Sequence, residues 1–358
     1  MVSQDEENAE LGPAAGCLVS GKRICVAGAG IAGTAFAVSL RRLCSEQGVK
    51  PPQIHLYERD EAPDARGSYS LSVRGDLGGL QVLQRLGLVD ALMKYKEPGD
   101  GFHIARHTFK PLVRAVDIPL PGSKLRAALR PEEQKAYLGV CMISGRTGPL
   151  EKLPPQIEAG QWRVMSPTGT GLFVSPLERE CAQWNLSFRA PESLCAELNE
   201  RFRDPKARQE YLDTVIAEKG KPFAEPWPTL LCKTDLSYGL SASNPSDKLP
   251  HRNRAPVVFI GDACHPMNPF SGSGANMALV DGLQLAQQLM DPVHRTLSAA
   301  VESYDDTSGP RVTRAIMAGR KNIALAHSRG WQQLKFVVVY FIAGWIVAIK
   351  AWLKGLQA

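Results

Sequence analysis

The stretch Arg23-Ile24-Cys25-Val26-Ala27-Gly28-Ala29-Gly30-Ile31-Ala32-Gly33 decides the fold. Its first half is a short apolar run that reads as a strand. Three glycines follow at the spacing GxGxxG, and the segment from Ile31 to Gln47 reads as a helix. In such a unit Gly28 permits the tight turn, Gly30 lets a pyrophosphate approach the backbone, and Gly33 lets the helix pack close to the sheet. The helix N-terminus offers free N–H groups and a partial positive charge to the phosphates. Pro51 and Pro52 punctuate the chain, and Ile54–Tyr57 then reads as a second strand ending at Glu58 and Arg59. A carboxylate at that point suits the hydroxyls of an adenosine ribose and disfavours a 2′-phosphate. The pattern is a βαβ unit built for a dinucleotide.

Outward from this unit, Leu80–Leu86 and Val89–Tyr95 read as helical pieces. The chain from 100 to 255 is less regular and rich in proline, with strand-like runs at Gln161–Met165, Gly171–Ser175 and Trp184–Arg189. A polar helical segment, Ser193 to Lys219, is interrupted at Pro205. After Pro256 the pattern sharpens: Val257–Ile260 reads as a buried strand and Ala275–Met290 as a helix. Between them lies Gly261-Asp262-Ala263-Cys264-His265-Pro266, then Asn268-Pro269-Phe270-Ser271-Gly272-Ser273-Gly274-Ala275-Asn276. Asp262, at a strand's C-terminal end, can accept hydrogen bonds from the hydroxyls of a ribityl chain. The backbone of Gly272–Asn276 can aim N–H donors and a helix dipole at negative charge developing on a flavin N1–C2=O edge.

Read through Asp281-Gly282, this segment is GDACHPMNPFSGSGANMALVDG. It closely resembles the GD motif of group A flavoprotein monooxygenases, the p-hydroxybenzoate hydroxylase-like superfamily. It is most similar to the branch holding tetracycline-inactivating and fungal secondary-metabolite enzymes. Residues 24–88 add the glycine turn, Tyr57-Glu58-Arg59, and Gly67-Ser68-Tyr69-Ser70-Leu71-Ser72-Val73-Arg74. The resemblance implies an α/β fold: a Rossmann-type FAD-binding domain, an inserted mixed-sheet substrate domain and a C-terminal helix. It implies FAD as cofactor, NAD(P)H as co-substrate, and O2 used to hydroxylate or epoxidise a small organic substrate. Gly28, Gly30, Gly33, Glu58 and Arg59 would hold the adenosine end. Asp262 would hold the ribityl chain, Arg74 would lie near the flavin, and Pro269, Gly272, Gly274, Ala275 and Asn276 would line its ring. Arg74 and His265 are the candidates for a catalytic part, with a positional role for His265 weighed against a general-base role. The expected organisation is a tail at 1–20, an FAD-binding domain from 21–100 and 255–330, a substrate-facing region at 101–254, and an apolar helix at 331–358.

The chain departs from the superfamily pattern after Leu88. Pro121-Gly122-Ser123-Lys124-Leu125-Arg126, with Tyr137-Leu138-Gly139, resembles only the tail of the DGxxSxxR motif associated with FAD and NAD(P)H binding. The run from Gly101 to Leu120 is short for the elements that belong there. Lost strands would expose sheet edges and weaken cofactor affinity, so a catalytically silent, truncated member stays an alternative. A flavin oxidoreductase acting on a lipid or isoprenoid is another. Only one GxGxxG is present, which leaves out a second Rossmann domain for NADPH, and the WxWxIP signature of flavin halogenases is missing.

Bulk properties narrow the classes. The 358 residues are 44% hydrophobic and 22% charged, with a net charge of +6. The basic residues are scattered, so nucleic acid is a poor partner. The eight cysteines show no CxxC pair and no zinc spacing, and no histidine spacing suggests a metal. The acidic N-terminus lacks the apolar core of a signal peptide, which with the cysteines points to the cytoplasm. The apolar run Phe336–Ile349, extended to residue 353, is a candidate for membrane contact, against the alternative of a buried terminal helix. The sequence leaves the oligomeric state and the substrate open.

Overall fold

The computed structural model describes residues 17–59, 73–93, 102–106, 111–113, 124–158, 160–178 and 180–331. The expected βαβ unit is present. Strand β1 (Arg23–Ala27), helix α1 (Ile31–Glu46) and strand β2 (Gln53–Tyr57) follow one another, and β1 pairs with β2 in parallel register. Gly28 sits at φ 119°, a conformation that favours glycine. A Cβ on Gly33 would stand 2.2 Å from the Gly28 carbonyl oxygen, so the close approach of helix to turn requires glycine there. Helix α2 (Gly79–Arg85) follows, and a short helix, Val89–Met93, lies within the piece read to Tyr95, whose last two residues are outside the described residues.

The middle of the chain builds a seven-stranded mixed sheet. Its strands are β3 (Phe102–Arg106), β4 (Pro111–Val113), β5 (Val140–Arg146), β6 (Gln161–Met165), β7 (Gly171–Glu178), β8 (Cys181–Arg189) and β9 (Ser241–Ser243). The order is β9-β5-β8-β7-β6-β3-β4, antiparallel throughout except for β3 beside β6. Part of the run from 101 to 120 therefore forms the last two strands of this sheet, with β4 at its edge. One face carries Cys141, Ile143, Trp162, Val164, Val174, Trp184, Leu186 and Phe188. They pack into a core with Leu198, Phe202, Tyr211, Ile216, Trp227 and Leu231 from the helical segments that follow β8. In that segment the break expected at Pro205 is real. Helix Ser193–Arg201 stops, and a new one starts at Pro205 with Asp204 capping the N–H of Lys206 at 3.0 Å.

The chain returns to the nucleotide-binding half through helix α3 (Gly274–Met290) and helix α4 (Leu297–Ala326). Helix α3 packs on α1 so closely that a Cβ on Gly282 would meet the Phe36 nitrogen at 2.6 Å and the Ala35 Cβ at 2.8 Å. Leu40, Leu43, Cys44, Leu285, Ala286 and Tyr304 fill the core between α1, α3 and α4.

Two sequence expectations need correction. Val257–Ile260 is not a strand: only Val257 makes an isolated bridge, to Arg254. Val258 and Ile260 pack against the same core as Ile24, Val26 and Ile54 of the β1–β2 pair. The ladder is missing because Phe259's backbone is bound elsewhere. Its N–H donates to Asn253 Oδ1 at 2.7 Å, and its carbonyl accepts from Asn253 Nδ2 at 3.3 Å. The second correction is α4, 30 residues long, which the sequence reading did not single out because Gly309-Pro310 reads as a breaker. Packing overrides it: Val312, Ile316 and Ile323 beyond the proline are buried, as are Val301 and Tyr304 before it.

Among the described residues no helix is long and apolar enough to cross a membrane. The run Phe336–Ile349, most of Gly67–Val73 and the tail 1–16 lie outside the described residues.

Candidate active site

The glycine turn and the loop after Ile260 are neighbours in space. Gly261 is in the left-handed region, at φ 54°, and a Cβ there would lie 2.8 Å from the Cβ of Ala32. The two motifs, more than 200 positions apart, thus lie side by side. At the end of β2 the backbone N–H of Ala29 donates to Glu58 Oε2 at 2.8 Å, and that of Arg59 to Glu58 Oε1 at 2.7 Å. Around Gly28, Gly30 and Gly274 there is open space where a Cβ would stand. That is what a backbone cradle for phosphates and a flavin edge needs.

Asp262 lies where the two segments meet. The residue is half-buried, and desolvation pushes its carboxyl above the ordinary value, against the pull of His265, Lys135 and Arg126. No described residue donates a hydrogen bond to its oxygens. Arg126, buried in the helix Lys124–Leu129, instead reaches the Asp262 main-chain carbonyl with Nη1 at 3.3 Å. The remnant of the second motif therefore folds onto the GD loop. Lys135 is close by, and burial lowers its ammonium pKa.

The loop itself is anchored from below. His265 Nε2 stands 2.5 Å from Asp281 Oδ2, which also accepts the Gly261 N–H at 2.9 Å, while Arg311 Nη2 holds Asp281 Oδ1 at 2.9 Å. Asp281 is fully buried and His265 nearly so. A second anchor is Asp247, also fully buried. It accepts from Asn268 Nδ2 at 2.7 Å and from Arg320 Nη2 at 2.7 Å. Gly319 of α4 touches the loop, since a Cβ there would lie 2.8 Å from Asn268 and Ser271.

The remaining candidates divide. Asn276 is fully buried, and its Oδ1 accepts the backbone N–H of Arg74 at 2.7 Å, tying the turn before α2 to the start of α3. The Arg74 guanidinium bonds Asp76, with Nε at 2.9 Å from Oδ1. Gly272 takes φ 66° and, with Ala275, lies at the approach to α3. Pro269 and Phe270 are buried beneath the seven-stranded sheet, where they close a cavity with Met142, Arg163, Phe173 and Asn185. The Arg163 guanidinium carbon lies 5.0 Å from the centre of the Phe270 ring. The His327 ring centre lies 5.5 Å from that of Phe270, with Nε2 3.0 Å from Ser187 Oγ. Arg163, Asn185 and His327 escaped the sequence reading because only strand register and the return of α4 bring them together. Asp281 stood in the quoted GD segment, and its spacing of 16 from His265 gives no local signal.

Residues 245–318 match the family described as FAD binding domain. The monooxygenase cfoF of Aspergillus candidus is 27% identical over 398 residues, covering 87% of this chain and 92% of that protein. Those 398 positions exceed the 358 residues here, so the relative carries stretches with no counterpart in this chain. The FAD-dependent monooxygenase vrtH of Penicillium aethiopicum is 35% identical over 134 residues, covering 35% of this chain and 32% of that protein. Among solved structures, Klebsiella pneumoniae HpxO complexed with FAD and uric acid shares the fold at TM-score 0.67 and 16% identity, over 89% of this chain and 92% of that one. The tetracycline destructase Tet(51) does so at TM-score 0.59 and 15% identity, over 90% and 96%. The chain thus carries the FAD binding domain match in its GD segment, is similar along most of its length to a fungal monooxygenase, and shares its fold with solved FAD-containing proteins.

Proposed function

We propose that the chain is an FAD-dependent monooxygenase that takes electrons from NAD(P)H and places one oxygen atom of O2 on a small organic molecule, by hydroxylation or epoxidation. The observation that carries this reading is the desolvated Asp262 carboxyl, which no described residue bonds, at the junction of the two nucleotide-binding segments. A carboxylate so placed is stabilised by hydroxyl donors, which a ribityl chain supplies. The residues present thus fit FAD. Glu58 would hold the ribose hydroxyls, the turn Gly28–Gly33 the pyrophosphate, Asp262 the ribityl chain, and the N-terminus of α3, with Gly272, Gly274 and Ala275, the ring edge. FAD supplies the redox and oxygen chemistry when bound.

The chain's own residues orient and enclose. Asp281 fixes His265, and through Gly261 it fixes the loop that presents Asp262, which makes His265 a positioning residue in this reading. Asn276 positions Arg74 through its backbone. Phe270 and the sheet above it would keep water from the substrate side of the bound cofactor.

The test is to purify the full chain, record its visible spectrum and follow NAD(P)H oxidation. Flavin bands near one per chain, with substrate-stimulated oxidation that stops without O2, are expected. Turnover without O2 would favour an oxidoreductase, and absence of flavin bands after adding FAD would favour a silent remnant.

A further inference from the structure

Next to the loop that carries Asp262 lies a buried charge cluster outside both nucleotide motifs. Lys248 follows the strand Ser246–Asp247, which pairs antiparallel with Ala136–Tyr137. Its backbone N–H donates to the Pro266 carbonyl at 3.0 Å, and its ammonium donates to the Cys264 carbonyl at 3.2 Å. Arg126 reaches the Asp262 carbonyl from the helix Lys124–Leu129. Three alternate carbonyls of the loop, those of Asp262, Cys264 and Pro266, are thus held from two other stretches of chain.

Only 9% of the Lys248 side chain is exposed, and an ammonium so buried needs a counter-charge. Glu133 supplies it. Its Oε2 stands 2.7 Å from Lys248 Nζ and 2.9 Å from His251 Nδ1, and its Oε1 accepts from Arg130 Nη1 at 3.0 Å. Among the described residues it is the one carboxylate paired with Lys248. Burial pushes the Glu133 carboxyl up, but Lys248, Arg130 and His251 outweigh it and hold it below the ordinary carboxylate range. Arg130 extends the link, its guanidinium carbon 5.5 Å from the centre of the Phe259 ring in the run that leads into the loop.

We propose that Glu133 is a positioning residue for the cofactor: by holding Lys248 on the Cys264 carbonyl, it sets where Asp262 presents its carboxylate to the ribityl chain. The inference rests on the FAD reading and adds to it a control point outside the two motifs. Cys264 lies two residues past Asp262, and its own N–H donates to the Gly261 carbonyl at 2.9 Å, so the peptides on either side of Asp262 belong to one turn. A carbonyl gripped by a charged donor cannot swing with its peptide. Without the Glu133 charge, the Lys248 ammonium is better solvated by water than by this cluster, and leaving it releases the carbonyl.

The test compares FAD with ADP, which has the adenosine and diphosphate of the cofactor but neither ribityl chain nor ring. Binding of each to the flavin-free full chain is measured by calorimetry. Glu133→Gln should weaken FAD roughly tenfold and leave ADP within about twofold of wild type. Lys248→Met should do the same, and the two changes together should cost no more than the larger single one. FAD affinity unchanged in Glu133→Gln overturns the proposal. So does an equal loss for ADP, which a general distortion of the fold would cause, and so do losses that add in the double variant. Far-UV circular dichroism checks that each variant folds. Should Glu133→Gln not fold, Glu133→Asp carries the test, with the charge kept one methylene farther back and a smaller loss confined to FAD. A wild-type chain that binds no FAD removes the monooxygenase reading and this inference with it, whereas FAD bound equally by wild type and Glu133→Gln removes the inference alone.

Discussion

His265 Nε2 lies 2.5 Å from Asp281 Oδ2 in a place where neither residue meets solvent, and Asp281 holds three partners at once. Burial pushes the Asp281 carboxyl upward, but His265 and Arg311 together overcome it and keep it below the ordinary value. Asp281→Ala would leave the Gly261 N–H without its acceptor and Arg311 with only Gln284, beneath the loop that follows Ile260. Removing one member of such a buried group costs about 3 kcal/mol or more. Urea denaturation should show that loss, together with reduced FAD retention. Asp281→Asn, which keeps one acceptor for Gly261, should fall between the two. A variant as stable as wild type would show that the loop is held by other contacts.

His327 gives the fold a pH dependence. Burial pushes its pKa down to about 4, from a usual value of about 6.5. The native state holds the ring neutral and the unfolded chain protonates it first, so its contribution is complete above about pH 6.5 and is lost as pH falls toward about 4. The size is roughly 3 kcal/mol. His251, also held near 4 chiefly by burial and by Lys248, acts in the same direction and window. Stability measured by denaturant between pH 7 and 4 should fall steeply, and His327→Gln should flatten part of that slope. A variant with the wild-type slope would remove His327 as a source.

Helices α1 and α3 pack together with no room for a side chain at Gly282, where a Cβ would stand 2.6 Å from the Phe36 nitrogen. Gly282→Ala places a methyl group against backbone at 2.6 Å, which overpacking data put at about 1–3 kcal/mol. The helices must separate, which moves the Gly28 turn away from the Gly261 loop. A lowered melting temperature together with weaker FAD binding is expected. Stability lost with unchanged FAD affinity would mean that the two motifs do not depend on this contact.

What could be read in the sequence follows the range of the interactions. The βαβ unit, α3 and the strands β6 to β8 were legible because their signals are local: glycine spacing, apolar runs and alternation. Val257–Ile260 looked like a strand for the same reason. Asn253 takes the hydrogen bonds of Phe259 from 6 residues away, and no apolar pattern records that. Helix α4 was hidden because Gly309-Pro310 carries a strong local stop, while the burial that outweighs it comes from α3 and the loop at 268–271. Within the site, Glu58 and Asp262 were visible as strand-end carboxylates. Asn185 and Arg163 owe their position to register across four strands.

Glu58 separates cofactor binding from folding. Its carboxylate is exposed and bonds the N–H groups of Ala29 and its own neighbour Arg59, contacts that water can replace at little cost. Glu58→Ala should therefore leave the denaturation midpoint of the flavin-free protein nearly unchanged. The same change removes the acceptor proposed for the ribose hydroxyls, and hydrogen bonds to a charged group are worth about 1.5–3 kcal/mol. FAD affinity, measured by quenching of flavin fluorescence, should drop roughly ten- to hundredfold. Glu58→Gln keeps one acceptor and should lose less. If FAD binds Glu58→Ala within threefold of wild type, the adenosine end of the cofactor rests on the glycine turn alone, and the carboxylate at the end of β2 serves only to close that turn.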